Sequence, residues 1–417
     1  MATGISSSAT VLKNPTKILN PLFFFIFFRP KTTSAQYVSS RALDPTLEKL
    51  MRRHKNLLKV VSVQDLILAS PDHSIPLPLL SRLSQKLHLN RGAASFLRRY
   101  PHIFSFSPSS CRLTPAASLI SRVESSAASS SLPSAVDRLL RLLSISPSRS
   151  LPLRAVFKVW RELGLPDDFE DSVISQNPSL FALHDAPHEP NTHILKLVRN
   201  PNPNFTPAVD NWRQRARQSG ESCRLEEAEI RFGFKQEFPP GMKLSKDFRA
   251  RLKEWQRLRY VGPYEKMGEL RRSKAGMKAL EKRAVGIVHE FLSLTVEKMV
   301  EVEKISHFRK WFGIELNIRD LFLDHPGIFY LSTKGKRHTI FLREAYERGC
   351  LIEPNPIYDA RRKLLELVIL GRRGLKLGGR EERRVEGTEE EEEDDDDDDD
   401  EEEDDDDNDE LPEENVH

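Results

Sequence analysis

One local pattern occurs three times along this chain and limits the folds that it can adopt. In each copy two helical stretches are followed by a proline that opens a run of alternating apolar residues. The run reads Pro-x-apolar-Phe-x-apolar and begins at Pro101, Pro178 and Pro326. These prolines are 77 and 148 residues apart, which corresponds to about one and two repeats of a single supersecondary unit.

Each copy of the pattern has a consistent physical interpretation. A proline disfavours helical geometry in the residue before it, so it ends the second helix. The alternation that follows is typical of a strand. In the third copy, two alternating runs at 329–331 and 339–342 predict a β-hairpin whose tip contains Lys334, Gly335, Lys336 and Arg337.

Two helices followed by a hairpin outline a winged-helix unit, in which the second helix and the wing tip commonly touch nucleic acid. We therefore predict a mainly α-helical α+β protein with short β-hairpins, built from tandem degenerate winged-helix-like units. The units are expected at about 41–120, 135–200 and 240–350, with an altered fourth position around 240–290. The alternative is chance recurrence among 27 prolines and 22 phenylalanines, which the absence of hairpins after the first and third prolines would favour.

The formal net charge of +2 hides a strong separation of charge along the chain. Residues 386–417 contain 24 acidic and no basic residues, whereas residues 1–385 contain 64 basic and 38 acidic ones and carry +26. A folded region this basic attracts polyanions, because lysine and arginine displace the counterions of phosphates. The acidic run cannot fold at neutral pH, so we expect a disordered tail over 376–417.

Residues 1–40 have the composition of an organelle transit peptide, with a disordered terminus as the alternative. No acidic residue precedes Asp44, whereas basic residues, serine and threonine are frequent. The apolar run at 22–28 is far shorter than the ~20 residues that a membrane-spanning helix needs. No membrane association is therefore expected.

The chain carries no motif for catalysis or for nucleotide hydrolysis. It contains no phosphate-binding P-loop, no zinc-protease or nucleophile-elbow motif and no kinase set. The three cysteines are far apart and form no Cys-x-x-Cys pair, which argues against a disulfide framework or a zinc site. Three histidines near Asp185 are separated by prolines and are interpreted as loop residues: His184, His188 and His193. We expect no enzyme activity, no cofactor, no metal and no small-molecule substrate.

Basic clusters that adjoin aromatic residues supply the candidate binding residues. Aromatic side chains beside arginine and lysine suit the unstacked bases of single strands and RNA loops, although charge alone does not exclude DNA. The first candidates are the cations of a predicted second helix and of the wing tip: Arg98, Arg99, Lys334, Lys336 and Arg337. The remaining candidates are Arg257, Arg259, Arg271, Arg272, Arg309 and Lys310.

Several sequence blocks follow one another in a fixed order along the body. They read RALD at 41–44, EWQRLRYVGPYE at 254–265, KRAVGIVHEFLSLT at 282–295, HFRK at 307–310, HPGIFY at 325–330, KGKR at 334–337 and FLREAY at 341–346. Together they resemble the plant organelle RNA recognition (PORR) family over residues 41–375, which we take as the RNA-binding region. Arg259 and Gly262 stand where that family usually has proline and serine, which affects local geometry and not membership.

The resemblance implies non-catalytic binding of organelle intron RNA and a role in group II intron splicing, with other splicing factors as further partners. It favours the mitochondrion, with the chloroplast as the alternative. Two other functions stay open: a protein-interaction scaffold whose RNA contact is incidental, and a nuclear DNA-binding protein or histone-type chaperone. The acidic tail either only keeps the protein soluble or competes with RNA for the basic body.

Overall fold

The computed structural model describes residues 43–89, 91–186, 192–202, 204–218, 226–239, 241–266, 274–334 and 337–383, with side chains to residue 371. Within these ranges, helices alternate with three small antiparallel sheets of three strands each, which confirms the expected α+β class. The predicted leader at 1–40 and the acidic run from 386 lie outside the described residues. The described helices include none that is long and apolar enough to cross a membrane.

The first unit begins with a long helix whose start is capped by Asp44. The Asp44 carboxylate accepts hydrogen bonds from the backbone N–H groups of Thr46 and Leu47 at 3.0 and 3.2 Å, and so satisfies donors that a helix start leaves open. Strand β3 of this unit lies between β1 and β2 and is antiparallel to both. The elements are α1 (Pro45–Leu68), β1 (Ser74–Pro76), α2 (Leu77–Arg82), α3 (Ala93–Arg99), β2 (Phe104–Phe106) and β3 (Ser110–Leu113).

The second unit repeats this order after one additional helix, with its last strand again in the middle of the sheet. Its elements are α4 (Pro115–Ser130), α5 (Leu132–Ile145), β4 (Ser150–Pro152), α6 (Leu153–Val159), a π-helix (Glu170–Ser175), β5 (Phe181–Asp185) and β6 (His193–Leu197). Three helices then lead to the third unit: α7 (Val209–Gln218), α8 (Glu227–Phe232) and α9 (Lys246–Arg257).

The third unit has the same strand order as the other two, with β9 between β7 and β8. Its elements are α10 (Lys274–Leu294), β7 (Met299–Glu301), α11 (Val302–Ser306), α12 (Ile318–Asp324), β8 (Phe329–Ser332) and β9 (Thr339–Leu342). A short hairpin and a long helix follow: β10 (Tyr346–Glu347), β11 (Cys350–Leu351) and α13 (Pro356–Arg383).

A hairpin follows each of the three repeated prolines, and the prediction of tandem winged-helix-like units is confirmed. The structure adds two elements to each unit, a leading helix and a first strand that pairs with the last one. The first strands were not predicted because each has only three residues, too few to show a clear alternation. Around 240–290 the described residues form α9 and α10 without any strand, and α10 is the leading helix of the third unit. The altered fourth position expected there stays a prediction.

The second and third units share one apolar core, in which Phe291, Phe308 and Phe312 pack with ring centroids 5.4 to 6.1 Å apart. The first unit has a separate core, to which α13 contributes Leu364 and Val368. The start of α1 instead packs on the sheet of the third unit. Helices α1 and α13 therefore fasten the first unit to the rest.

A buried ionic cluster lies where α1, α4 and α13 meet the segment before β7. The Arg361 Nε donates to the Glu124 carboxylate at 2.8 Å, and the Arg361 guanidinium lies 3.8 Å from Glu297. Glu297 is in turn 3.8 Å from the His54 ring. Burial lowers the pKa of His54, although the Glu297 carboxylate acts in the opposite direction.

Candidate nucleic-acid interface

Helix α3 of the first unit carries cations that no carboxylate of the described residues neutralises. The helix ends at Tyr100, directly before the first repeated proline. Arg98 is exposed and Arg99 is half-buried in the last turn, and neither guanidinium pairs with a carboxylate within the described ranges. The negative end of the helix dipole favours arginine at this position. Both residues were first candidates from the sequence, and the structure places them together on the second helix of a winged-helix unit.

The charged residues around α3 are all basic over a long stretch of chain. Residues 73–123 contain seven lysine and arginine residues and no aspartate or glutamate. Arg82, Lys86 and Arg91 are exposed in and between α2 and α3. These three stand singly in the sequence and so form no basic cluster, but the absence of acidic residues over 51 positions is a sequence signal that indicates them.

The second unit has the opposite charge at the same position in the fold. Its π-helix and the turn before it contain four acidic residues and no basic one: Asp167, Asp168, Glu170 and Asp171. Three of these carboxylates are exposed and one is half-buried. Because they repel phosphates, this helix does not suit contact with a nucleic-acid backbone.

The third unit has a mixed second helix and a partly neutralised wing. Lys334 is exposed at the wing, and no carboxylate in the described part of the chain pairs with it. Arg337 lies 3.3 Å from a carboxylate oxygen of Glu301 and 3.1 Å from one of Glu303. Lys336 lies outside the described residues. The predicted wing therefore exists, and one of its two described cations is already paired.

The candidates near α9 are not equivalent either. The Arg257 Nε donates to Glu229 at 2.9 Å, and its guanidinium also pairs with Glu226, so this residue ties α9 to α8. Arg259 is exposed. The other two candidates of this region, Arg271 and Arg272, lie outside the described residues.

Arg309 and Lys310 lie on the turn after α11. The Arg309 side chain donates to the carbonyls of Ile314 and Glu315 at 3.1 and 2.7 Å, and so holds this turn in shape. Lys310 is exposed and lines a cleft together with Trp311. The described candidates belong to the first unit, to α9 and to two parts of the third unit, so they do not share one element of the fold.

The cations of the KRAV block support the fold and do not face solvent. The fully buried Lys282 ammonium donates to the carbonyls of Trp255, Gln256 and Leu258 at 2.6, 2.9 and 2.8 Å, and thereby satisfies the open carbonyls at the end of α9. It also lies 4.6 Å from the Trp255 ring centre. Burial, with a smaller effect of Arg213, lowers the pKa of Lys282 to about 7, whereas the three carbonyl acceptors favour the charged form.

Other residues of the family-like blocks play the same structural role. The Gln256 side chain both accepts from the backbone N–H of Phe234, at 2.7 Å, and donates to its carbonyl, at 2.9 Å. Glu290 accepts from the Ala208 N–H and from the Tyr264 hydroxyl, both at 2.6 Å. These contacts hold the connecting segment between the second and third units against α10.

The described residues offer no geometry for a metal ion. Among them, no group of three or more His, Cys, Asp or Glu side chains converges on a point. His193 pairs with Asp185 at 2.8 Å across strands β5 and β6, and His188 lies outside the described residues.

Tandem winged-helix-like units, with a basic helix whose arginines pair with no carboxylate among the described residues, are typical of the nucleic-acid-binding class of proteins. The model of the plant organelle RNA recognition domain matches residues 42–373, and the chain belongs to this family, as the sequence blocks predicted. The matched family is one of RNA recognition. No solved structure matches the chain.

Three curated proteins illustrate the relatives of this chain. Protein ROOT PRIMORDIUM DEFECTIVE 1 of Arabidopsis thaliana is 36% identical over 404 residues, covering 91% of this chain and 98% of that protein. Protein WHAT'S THIS FACTOR 1, chloroplastic, of Zea mays is 31% identical and covers 81% and 68%. Protein WHAT'S THIS FACTOR 9, mitochondrial, of Arabidopsis thaliana is 31% identical and covers 81% and 88%. Relatives thus carry the names of both organelles.

Proposed function

We propose that this chain is a non-catalytic RNA-binding protein of a plant organelle that binds group II intron RNA and promotes its splicing. The observation that carries the proposal is the one-sided positive surface of the first unit, where 51 consecutive residues contain seven cations and no carboxylate. Membership of an RNA recognition family supports RNA over DNA as the polyanion.

A splicing helper of this kind needs no catalytic residue, because a group II intron is itself the ribozyme. Its task is to reduce repulsion between closely packed phosphates and to hold loops in a productive arrangement. Exposed arginines and lysines on rigid helices suit this task, since they bind phosphates without ordering a flexible loop. Winged-helix units supply such helices in a fixed relation to one another.

The geometry gives an order to the candidate residues. Arg98, Arg99 and Lys334 come first because the described structure leaves their charges unpaired. Lys336 stays with them on sequence position alone. Arg337 and Arg257 come last because carboxylates already neutralise them. The others form an intermediate set: Arg259, Arg271, Arg272, Arg309 and Lys310.

Binding of the full-length protein to organelle RNA tests the proposal directly. We expect tight binding of at least one intron-containing transcript, with an affinity that falls as salt rises because counterions are released from the phosphates. Sequencing of the RNA that co-precipitates from organelles would identify the intron. Absence of salt-sensitive binding to any organelle transcript would overturn the proposal and favour a protein-interaction scaffold.

We propose that the protein is mitochondrial, with the chloroplast as the alternative. The leader composition supports import, and the names of relatives include both organelles. Fluorescence of a tagged full-length chain, viewed beside markers for both organelles, decides between them. Nuclear fluorescence would instead favour a DNA-binding protein or a histone-type chaperone.

A further inference from the structure

A cleft of about 530 Å³ lies between the second and third units. The loop before β4, the start of α6 and the hairpin β5–β6 form one side, and the turn after α11 forms the other. Its main lining residues are Pro147, Pro152, Arg154, Ile194, Lys310 and Trp311. The volume falls within the range of about 300–1,000 Å³ that is usual for sites that hold a small molecule.

The chemistry of this cleft suits an aromatic anion. Two cations line it, Arg154 and Lys310, and none of the described residues that line it is acidic. Trp311 is half-buried, because it packs against the shared core of the second and third units while it also lines the cleft. A nucleobase can stack on an indole ring held in this way, and its phosphate can approach the cations.

The turn that carries Trp311 is fixed before any ligand binds. Gly313 has a φ of 65°, which favours glycine, and the Arg309 guanidinium bridges two carbonyls just beyond it. A rigid aromatic platform binds at a lower entropic cost than a mobile one. Arg309 therefore holds this turn in shape, and Lys310 and Trp311 line the cleft.

A second cavity has the same volume, about 530 Å³, but a different charge in its lining. It also contains a tryptophan, Trp212, and several cations. It differs in that four carboxylates line it: Asp137, Glu290, Glu344 and Glu353. Because carboxylates repel phosphates, we use this cavity as the internal control.

We propose that the cleft at Trp311 holds an unpaired nucleotide of the bound RNA, with the base stacked on Trp311 and the adjoining phosphate near Lys310 and Arg154. This inference rests on the proposed function, since it names a contact for the same RNA. Stacking tolerates any base, so the site selects single-stranded segments and not a sequence.

Binding of a short single-stranded RNA to the full-length protein tests the assignment. Trp311→Ala should weaken the affinity about tenfold or more, whereas Trp311→Phe should keep most of it, because a phenyl ring still stacks. Trp212→Ala, the matched control, should bind within about twofold of wild type, since the four carboxylates that line its cavity repel phosphates. Binding to an RNA duplex should change little in all three variants.

A second variant, Lys310→Glu, tests the cleft without the risk that the substitution unfolds the protein. Lys310 is exposed, so Lys310→Glu should leave the thermal midpoint unchanged and still weaken binding of the single strand. If Lys310→Glu, or a folded Trp311→Ala, binds the single strand as tightly as wild type, the cleft assignment is overturned. The proposed function would still stand in that case, provided that the wild type binds intron RNA. If the wild type bound no intron RNA at all, the proposed function itself would fail.

Discussion

The first and third units have the same order of strands and helices but use their cations in different ways. In the first unit, Arg98 and Arg99 lie on a helix within a stretch, residues 73–123, that contains no aspartate or glutamate. In the third unit, Lys282 is directed at backbone carbonyls, and Arg343 pairs with Asp44 at 2.8 Å while it also lies 4.9 Å from the Tyr330 ring centre. Formal charge is therefore a poor measure of the charge that is available to RNA.

The second unit extends this comparison. Its acidic π-helix occupies the position that α3 occupies in the first unit, so the backbone repeats and the surface does not. A tandem array of three similar units does not imply three equivalent RNA sites. We expect the first unit to dominate phosphate binding, and the shared core of the other two to provide a rigid platform.

The largest effect is expected from Lys282→Met, which removes the ammonium but keeps a side chain of similar length. Three carbonyls at the end of α9 would lose their donor in a buried site, so the free energy of unfolding should fall by about 3 kcal/mol. Urea unfolding followed by circular dichroism measures this. Arg98→Met, the matched change in the first unit, should stay within about 0.5 kcal/mol of wild type. Equal losses in the two variants would contradict the division between structural and available cations.

The next effect is expected from the double variant Arg98→Glu and Arg99→Glu. Affinity for intron RNA should fall about 30-fold, since two charge-assisted contacts with phosphates are lost. The slope of log affinity against log salt should become shallower by about 1.4, or about 0.7 for each phosphate contact. Filter binding across a salt series measures both quantities.

Lys196→Glu and Arg199→Glu make the matched control for this double variant. These two residues are exposed on and after β6 of the second unit, and the pair changes the net charge by the same amount. We expect a loss of less than about threefold, from the general decrease in positive field. Equal losses in the two double variants would mean that net charge, and not α3, determines binding.

Short-range sequence patterns predicted the parts of the fold that depend on neighbouring residues. The pattern of a proline followed by alternating apolar residues spans only six positions, and it predicted the hairpins of all three units. The unpaired state of a cation depends on residues far along the chain and was not predictable in the same way. Arg257 pairs with Glu229 and Glu226, 28 and 31 positions away, and the carbonyls that Lys282 satisfies are 24 to 27 positions away.

A smaller effect should follow from freeing a cation in the third unit. Glu303→Gln removes one carboxylate partner of Arg337, so the affinity for RNA should rise about two- to threefold at low salt. Glu315→Gln removes an exposed carboxylate of the same unit that pairs with no cation within the described residues, and should raise the affinity less. Filter binding at one low salt concentration compares the two. If both variants rise equally, pairing does not limit the contribution of Arg337.

The smallest effect concerns the buried junction that fastens the first unit to the third. Because burial lowers the pKa of His54 below its ordinary value of 6.5, the unfolded chain takes up this proton more readily than the folded one. Stability contributed by the neutral imidazole is present above pH 6.5 and is lost as the pH falls below it, by at most about 1.4 kcal/mol per pH unit for one group. The nearby Glu297 carboxylate reduces this loss, so we expect only a small fall in the free energy of unfolding between pH 7.5 and 5.5. The variant His54→Gln cannot take up the proton. Its free energy of unfolding, measured in urea, should therefore fall less over the same pH interval than that of wild type.

An identical pH dependence in wild type and variant would show that protonation of His54 does not affect the junction. Other acidic groups would then cause any loss of stability.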